Sequence, residues 1–545
     1  MKVFSFTCLL IFTGIPYAQA GGLPNPADVV IYDGQIIDGN GTARFRADVV
    51  IQNKRIIAIG SYPDIKAKHR IEASGLIVAP GFIDAHNHSA IRMINRKNRL
   101  NESSLTQGVS TIVFGADGEY SPTQITKMLN QFKQQGIGTN VAFYVGHNGI
   151  RSEVMLSKQQ RKPTDYELEK MRQLVREGMA MGAVGFSTGL MYEPGRNSEI
   201  EEIIELTKVI AEYGGIYDSH VRSPARDLIS SDQEVIDVGL RAKVAAKIAH
   251  VKAVCLNNSG KTDSIIQMVQ SARDNGQHLV TDQYPYDGAK TLYLRDILII
   301  PDNVAKPDTK KALANLHLRE AIRVASENGI NGGFSWLKVT GYNCIRITYS
   351  EDYPLMVGKY LSQLAQQYNL SGFDLVSKLL LSSDKEIHIT LGGVDEKEVQ
   401  QLMIQPWNMI ASDGKYINSQ GSSRNHPRST GSFARVLGKY VREMKLFTLE
   451  EAITKMTSLP ADFLGLSDRG RIEVGKIADI VIFNEGEIID RSSWAKPLLY
   501  SAGINQLLVN GKPVFINNKI SSMAQGEVLS RTHKTSPYLK QAGAD

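Results

Sequence analysis

The chain has 545 residues, 42% hydrophobic, 22% charged and 7% aromatic, a composition that suits a globular protein with one barrel-sized domain and a smaller one. Its 62 basic and 56 acidic residues leave a formal charge of +6, spread without a long basic run, so charge gives no argument for nucleic-acid binding. Three cysteines, Cys8, Cys255 and Cys344, exclude a disulfide scaffold and a cysteine-rich zinc finger.

Residues 1–20 read as a secretory leader. Lys2 supplies the positive start, residues 3–15 an apolar stretch, and Ala18-Gln19-Ala20 a small-residue cleavage site before Gly21. The stretch is shorter than the roughly 20 apolar residues a membrane span needs, and no later segment is long and apolar enough. Cys8 lies inside the apolar run, which argues against a lipoprotein. The expectation is a periplasmic or secreted protein without a membrane span. Cys255 and Cys344 then remain, and whether they pair stays open.

Residues 21–78 hold the β-rich, Asp-Gly-punctuated stretch ADVVIYDGQIIDGNGTARFRADVVIQNKRIIAIG, and residues 466–545 hold RIEVGKIADIVIFN and INQLLVNGKPVFINN. These two flanks are expected to pair into one small β-sandwich domain. Between them, over residues 79–465, eight apolar runs each end in a polar residue: His86, Asp117, His147, Ser187, His220, His250, Asp282 and Asp413. The first seven follow one another at spacings of 30 to 40 residues. A strand with its helix and loops fills about 30 residues or more. Residues 163–177 and 199–213 carry helical periodicity, the second stopping at Gly214-Gly215. The pattern predicts an α/β fold, a (β/α)8 TIM-type barrel. A doubly wound sheet would show a glycine-rich phosphate loop after its first strand, and none is present. The long last interval is expected to hold an insertion at about 288–350 and a helical stretch near 357–381.

In such a barrel the chemistry sits at the carboxyl ends of the strands. His86 and His88 are two apart and share a strand face, so both can grip one cation. His220 and His250 end neighbouring strands and can hold the same ion or a second one. Imidazole with carboxylate suits Zn²⁺ and its relatives. Five of the eleven histidines fall on this schedule, which favours a metal site over isolated hydrogen-bonded histidines. Asp413, in Ala411-Ser412-Asp413-Gly414, is the natural general base. His147 either polarises the substrate carbonyl or supports the ligands. Asp117 is a ligand or a turn residue. Lys252 shares a face with His250, and Tyr284 one with Asp282, so both are candidates to bind substrate.

The strings PGFIDAHNH, GVSTIVFG, VGHN, GFSTGLMYEPG, SHVRS, HVKA, DQYPYDG, ASDG, HPRSTGSFARVLGKYV and GRIEVGKIADIVIFN run in order along the chain. With them the sequence resembles the amidohydrolase superfamily and, within it, the N-acyl-D-amino-acid deacylases (D-aminoacylases). PGFIDAHNH alone specifies the superfamily, whereas GFSTGLMYEPG with HPRSTGSFARVLG is much narrower. The resemblance implies a zinc hydrolase that cleaves the amide of an N-acyl-D-amino acid, a small-molecule substrate. It implies one metal half-site at His86 and His88, the other at His220 and His250, the base at Asp413, and a carboxylate-binding arginine at Arg428. There is one departure. These deacylases usually carry GNCG after the second strand, its cysteine being a metal ligand. Here Gly115-Ala116-Asp117-Gly118 puts a carboxylate in that slot, harder than a thiolate and open to Mn²⁺ or similar ions. The site is then expected to hold one or two ions, with Glu119 a lesser substitute for Asp117.

Arg222, Lys290 and Arg295 also fall near strand ends, and extra cations there would favour an acidic side chain such as D-Glu or D-Asp. One rival is a metallo-dipeptidase or amidase of the same fold acting on D-residue peptides. Another is a catalytically dead binding protein, which should have lost the ligands or the base. Nothing in the sequence sets an oligomeric state.

Overall fold

The structure is a computed structural model that describes residues 17–18, 22–156, 160–300, 309–330, 335–418 and 425–531. The leader read over residues 1–20 lies outside these except for Tyr17–Ala18, as does the tail beyond Arg531. Eight parallel strands form the central sheet in chain order: β1 (Phe82–Asp84), β2 (Val109–Phe114), β3 (Asn140–Gly146), β4 (Gly185–Gly189), β5 (Ile216–His220), β6 (Ala246–Ile248), β7 (Leu279–Gln283) and β8 (Asn408–Ile410). The barrel closes between β8 and β1 just beyond the strands. Asp413 donates its N–H to the His86 carbonyl at 2.9 Å, and His88 donates to the Gly414 carbonyl at 2.7 Å. Closure thus happens at the residues singled out for chemistry.

Each strand is buried on both faces, which is why it reads as an apolar run rather than an alternating one. Val141, Phe143 and Val145 pack outward against the helices, while Ala142 and Tyr144 point inward with Ile83, Val113, Val280 and Met409. Ala461, Phe463, Leu464, Leu466 and Leu529 pack on that inward set and seal the amino end of the barrel. The helices start where capping chemistry allows. Thr164 accepts the Glu167 N–H while the Glu167 side chain takes the Thr164 N–H, so the helix read over 163–177 spans Asp165–Ala180. The next expected helix spans Ile200–Ala211.

Both terminal segments enter one mixed sheet. Its seam is Ile77–Pro80, antiparallel to Ile480–Phe483. Alternation at the seam serves two cores. Ile480 and Ile482 pack with Val78 and Leu508 inside the small domain, whereas Val481 and Phe483 face the barrel with Ala79 and Leu507.

Between β7 and β8 the chain leaves the barrel. Gly288–Tyr293, Ile345–Tyr349 and His388–Gly393 form a three-stranded antiparallel sheet, and helices Leu316–Asn328, Leu361–Gln367 and Gly372–Ser382 belong to the same excursion. The insertion therefore does not stop near residue 350 but runs to Gly393, because His388–Gly393 pairs with both other strands. It has its own apolar core, which includes Leu292, Ile347, Leu361, Phe373 and Ile389. A Cys255–Cys344 disulfide joins it to the loop after β6. Among the described residues, no helix is long and apolar enough to cross a membrane.

Candidate metal centre and active site

The residues that end β1, β2, β5, β6 and β8 meet at the carboxyl end of the barrel. Asp117 lies at their centre. Its Oδ1 is 3.3 Å from His86 Nε2 and 3.5 Å from His250 Nε2, and its Oδ2 is 3.3 Å from His220 Nδ1 and 3.8 Å from His88 Nε2. Asp413 Oδ1 completes the group, 3.1 Å from His88 Nε2 and 3.8 Å from His86 Nε2. Donor atoms of His86, Asp117 and His250 lie within 4.8 Å of one another, and so do those of His86, His88 and Asp413.

Local backbone constraints explain how these side chains converge. Asp117 has φ 57° and Asp413 φ 47°, left-handed conformations that aspartate tolerates better than most residues. Gly115, at φ 79°, approaches β3 so closely that a Cβ there would lie 2.5 Å from the Tyr144 carbonyl oxygen. Ser187 in the middle of β4 clamps this turn, its hydroxyl donating to the Gly115 carbonyl and accepting the Gly118 N–H at 3.0 Å. Asp84 stitches β1 to β8 by accepting the Ser412 N–H at 2.9 Å and the Ser412 hydroxyl. Neither Ser187 nor Asp84 was assigned a role from sequence, although both stand inside the quoted motifs.

The protonation states suit ligands. Burial alone would raise the carboxyls of Asp117 and Asp413. His220 and His86 beside Asp117, and Arg428 and His250 beside Asp413, outweigh it and hold both well below the usual carboxylate range. Burial, then Lys252 and His220, push His250 down to about 3, so its ring is neutral. Burial opposes a charge on His86 and His88, yet the surrounding carboxylates raise both. At these nitrogens a proton and a divalent cation are alternatives.

A cation fits what the structure shows. Both ring nitrogens of His86 and of His220, and Oδ1 of Asp117, are buried without a hydrogen-bond partner. Such atoms are uncommon and call for an explanation, and three of them, His86 Nε2, His220 Nδ1 and Asp117 Oδ1, lie within the cluster. The outer nitrogens of the other two imidazoles are fixed from behind. His88 Nδ1 donates to Glu119 at 2.9 Å, and His250 Nδ1 lies 2.9 Å from Lys252 Nζ. The carboxylate behind His88 leaves its Nε2 directed at the centre, the usual orienting device of metal sites. Glu119 therefore orients His88 and leaves the central place to Asp117.

A cavity of about 1340 Å³ opens over this cluster, lined by His88, Asp117, His220, His250 and Asp413 on one side. Lys252, Tyr284 and Arg428 line it as well. Arg428 Nη1 is 2.7 Å from Asp413 Oδ2 and donates to the Ala289 carbonyl at 3.2 Å, with its guanidinium 4.7 Å over the Tyr284 ring. His426 sets this arginine in place. Its Nδ1 accepts the Arg428 N–H at 3.1 Å while its Nε2 donates to the Gly288 carbonyl at 2.9 Å.

Other candidates are placed elsewhere. His147 is fully buried outside the cavity lining, its Nε2 2.8 Å from Glu202 Oε1. It shares the outward face of Phe143 and Val145, so it can neither touch a substrate carbonyl nor support the ligands directly. Arg222 pairs with Glu234, and Arg295 pairs with Glu386 on the insertion. Neither lines the cavity. Lys290 does, with its ammonium 4.3 Å over the Trp336 ring.

Comparison with known proteins agrees with this geometry. Residues 385–515 match the model of the Amidohydrolase family. The chain is 33% identical to the N-acyl-D-glutamate deacylase of Alcaligenes xylosoxydans xylosoxydans over 90% of its own length and 93% of that protein. It is 30% identical to the D-aminoacylase of the same organism, over 93% and 98%. Among solved structures, the N-acyl-D-glutamate deacylase from Bordetella bronchiseptica, complexed with zinc and a phosphonate mimic of the reaction's tetrahedral intermediate, superposes with a TM-score of 0.72. That match has 30% identity and covers 93% of this chain and all of the other. The chain belongs to the D-aminoacylase family of amidohydrolases.

Proposed function

We propose that the chain is an exported, divalent-metal-dependent deacylase that cleaves the amide of an N-acyl-D-amino acid, releasing a carboxylate and a free D-amino acid. The observation that carries this is the union, in one cavity, of a His/Asp cation site, an anionic base at Asp413 and a cationic pair at Arg428 and Lys252. His86, His88 and Asp413 would hold one cation, and Asp117, His220 and His250 a second. Zinc is the first candidate, and the carboxylate at Asp117 also suits a harder ion such as Mn²⁺. Bound there, the ion would supply Lewis acidity to the amide carbonyl and acidify water.

The chain's own residues do the rest. Asp413 takes a proton from the water that adds to the amide carbon. As the C–N bond breaks, the same carboxyl returns that proton to the departing nitrogen. Arg428 and Lys252 hold the substrate α-carboxylate, with Tyr284 beneath both cations, its ring 4.7 Å from one and 5.1 Å from the other. Because Arg428 also touches Asp413, a carboxylate bound by Arg428 lies beside the base. A dipeptide with a free α-amine would need an uncommitted carboxylate. Of the cavity's glutamates, Glu119 holds His88 through Oε1 and Glu193 bonds to Asn197.

Purified mature protein should hydrolyse N-acetyl-D-amino acids and leave N-acetyl-L-amino acids and dipeptides largely intact. Faster cleavage of dipeptides would replace the deacylase with a dipeptidase. The Cys255–Cys344 disulfide supports residence in an oxidising compartment. Mass spectrometry of exported protein should find an N-terminus at or near Gly21, and cytoplasmic protein with Met1 intact would contradict export.

A further inference from the structure

Beneath the cation site the barrel interior carries a second polar layer that the reaction does not use. Asp218 on β5, Lys247 on β6 and Asp282 on β7 stand on three adjacent strands, are 0% exposed, and do not line the cavity. The Lys247 ammonium bonds to Asp282 Oδ2, lies 3.2 Å from Asp218 Oδ1, and donates to the Ala85 carbonyl at 3.0 Å. Ala85 directly precedes His86. Asp282 reaches the other half of the site. Its Oδ1 accepts the His250 backbone N–H at 2.5 Å, and its Oδ2 lies 4.0 Å from His86 Nδ1.

The bond to His250 matters because of how that residue is turned. Ala246 and Ile248 on β6 pack outward with the helices, and His250 has their parity. It nevertheless faces Asp117, because its backbone adopts φ 37°, a conformation that a histidine keeps only when its surroundings impose it. The Asp282 carboxylate, itself held by Lys247, fixes the peptide N–H at that bend. One ammonium is thus linked directly to the peptide before His86 and, through one carboxylate, to the peptide of His250.

We infer that Lys247 is the positioning residue of the cation centre, holding one ligand from each half-site in register through the Ala85 carbonyl and Asp282. This rests on the site being a cation centre and not on which amide is cleaved. A structural role and an electrostatic role predict different results. As a packing element alone, Lys247 would affect thermal stability but not the affinity of the folded protein for a cation. As a nearby positive charge alone, it would weaken cation binding, so its removal would tighten it. As a positioning residue, its removal loosens binding despite the lost charge.

The test uses the full mature chain, stripped with a chelator and titrated with Zn²⁺ or Co²⁺ alone, without substrate. Affinity is read by competition with a chromophoric chelator, and ligand geometry by the visible absorption of the Co²⁺ form. Lys247→Met, which keeps the stem and removes the ammonium, should weaken Zn²⁺ binding by about 10- to 100-fold, the usual cost of losing a residue that orients ligands, and should shift the Co²⁺ spectrum. Asp282→Asn should act in the same direction. The double variant should bind no more weakly than the weaker single one, because both residues act along one path. If Lys247→Met does not fold, Asp282→Asn decides. Unchanged or tighter Zn²⁺ binding with an unaltered Co²⁺ spectrum would overturn the inference. Wild-type protein that binds neither ion would overturn it together with the cation reading. Wild-type protein that binds the ions but cleaves no N-acyl-D-amino acid would cost the proposed substrate and leave this inference standing.

Discussion

The barrel rim and the insertion face each other across one cavity but are held by different forces. The rim ligands stand at the ends of parallel strands whose backbones are locked by ladder bonds and whose side chains are almost wholly buried. The insertion carries Lys290, Trp336 and Cys344 to the opposite wall on a separate apolar core, joined to the barrel by a sheet root and one disulfide. The comparison assigns bond cleavage to the rim, where displacement of an atom is ruinous. It assigns accommodation of the substrate's variable parts to the wall, where a shift is tolerable. Substitutions on the two sides should therefore fall on different kinetic constants.

The largest effect belongs to the base. Asp413→Asn should lower kcat by about 10²–10⁴ with little change in KM, since it removes proton transfer needed at the transition state. A kcat within a few-fold of wild type would move the base elsewhere. Arg428→Ala comes next. A charge-assisted bond is worth about 1.5–3 kcal/mol, so KM should rise roughly 10- to 100-fold while kcat changes less. On the wall, Cys344→Ser should raise KM by a smaller factor and leave kcat and bound metal, measured by plasma mass spectrometry, unchanged. Loss of metal in that variant would show that the two regions are not separable.

The smallest effect on turnover is expected at Asp232, on the helix Leu228–Ala242 behind the rim. Burial raises its carboxyl to about 8, with Lys252 opposing only in part. The folded state thus keeps a proton that the unfolded chain loses near pH 4. Stability from this group is complete below about pH 4, falls as pH rises towards 8, and is flat above that. Asp232→Asn should remove that slope from thermal melts across pH 4–8 and leave kcat/KM near wild type. A slope that persists would mean that Asp232 ionises normally.

Much of the rim was legible in the sequence because a strand buried on both faces reads as an apolar run that closes on a polar residue before turn signals. His86, Asp117, His220, His250 and Asp413 were found in that way, and the structure brings them together. The same signal misplaced His147. It follows an apolar run like the others, yet β3 ends at Gly146, and His147 opens the helix His147–Met155 on the outward face. Counting alternation from Phe143 and Val145 would have shown this. His250 breaks the same count, and a φ of 37° cannot be read from residue types. The far boundary of the insertion was hidden because it depends on His388–Gly393 pairing with Gly288–Tyr293, a contact far apart along the chain. The link between Cys255 and Cys344, 89 residues apart, was hidden for the same reason. Local pattern records burial, whereas these features are set by long-range pairing.

The central claim is that the rim hydrolyses an amide whose substrate is anchored by its own carboxylate beside the base. The most direct measurement compares kcat/KM of zinc-loaded wild-type protein for an N-acetyl-D-amino acid and for its C-terminal amide. The account predicts that the acid is preferred by roughly 10- to 100-fold, the worth of the lost charge-assisted bond. Equal rates would contradict it and leave a general amidase in its place.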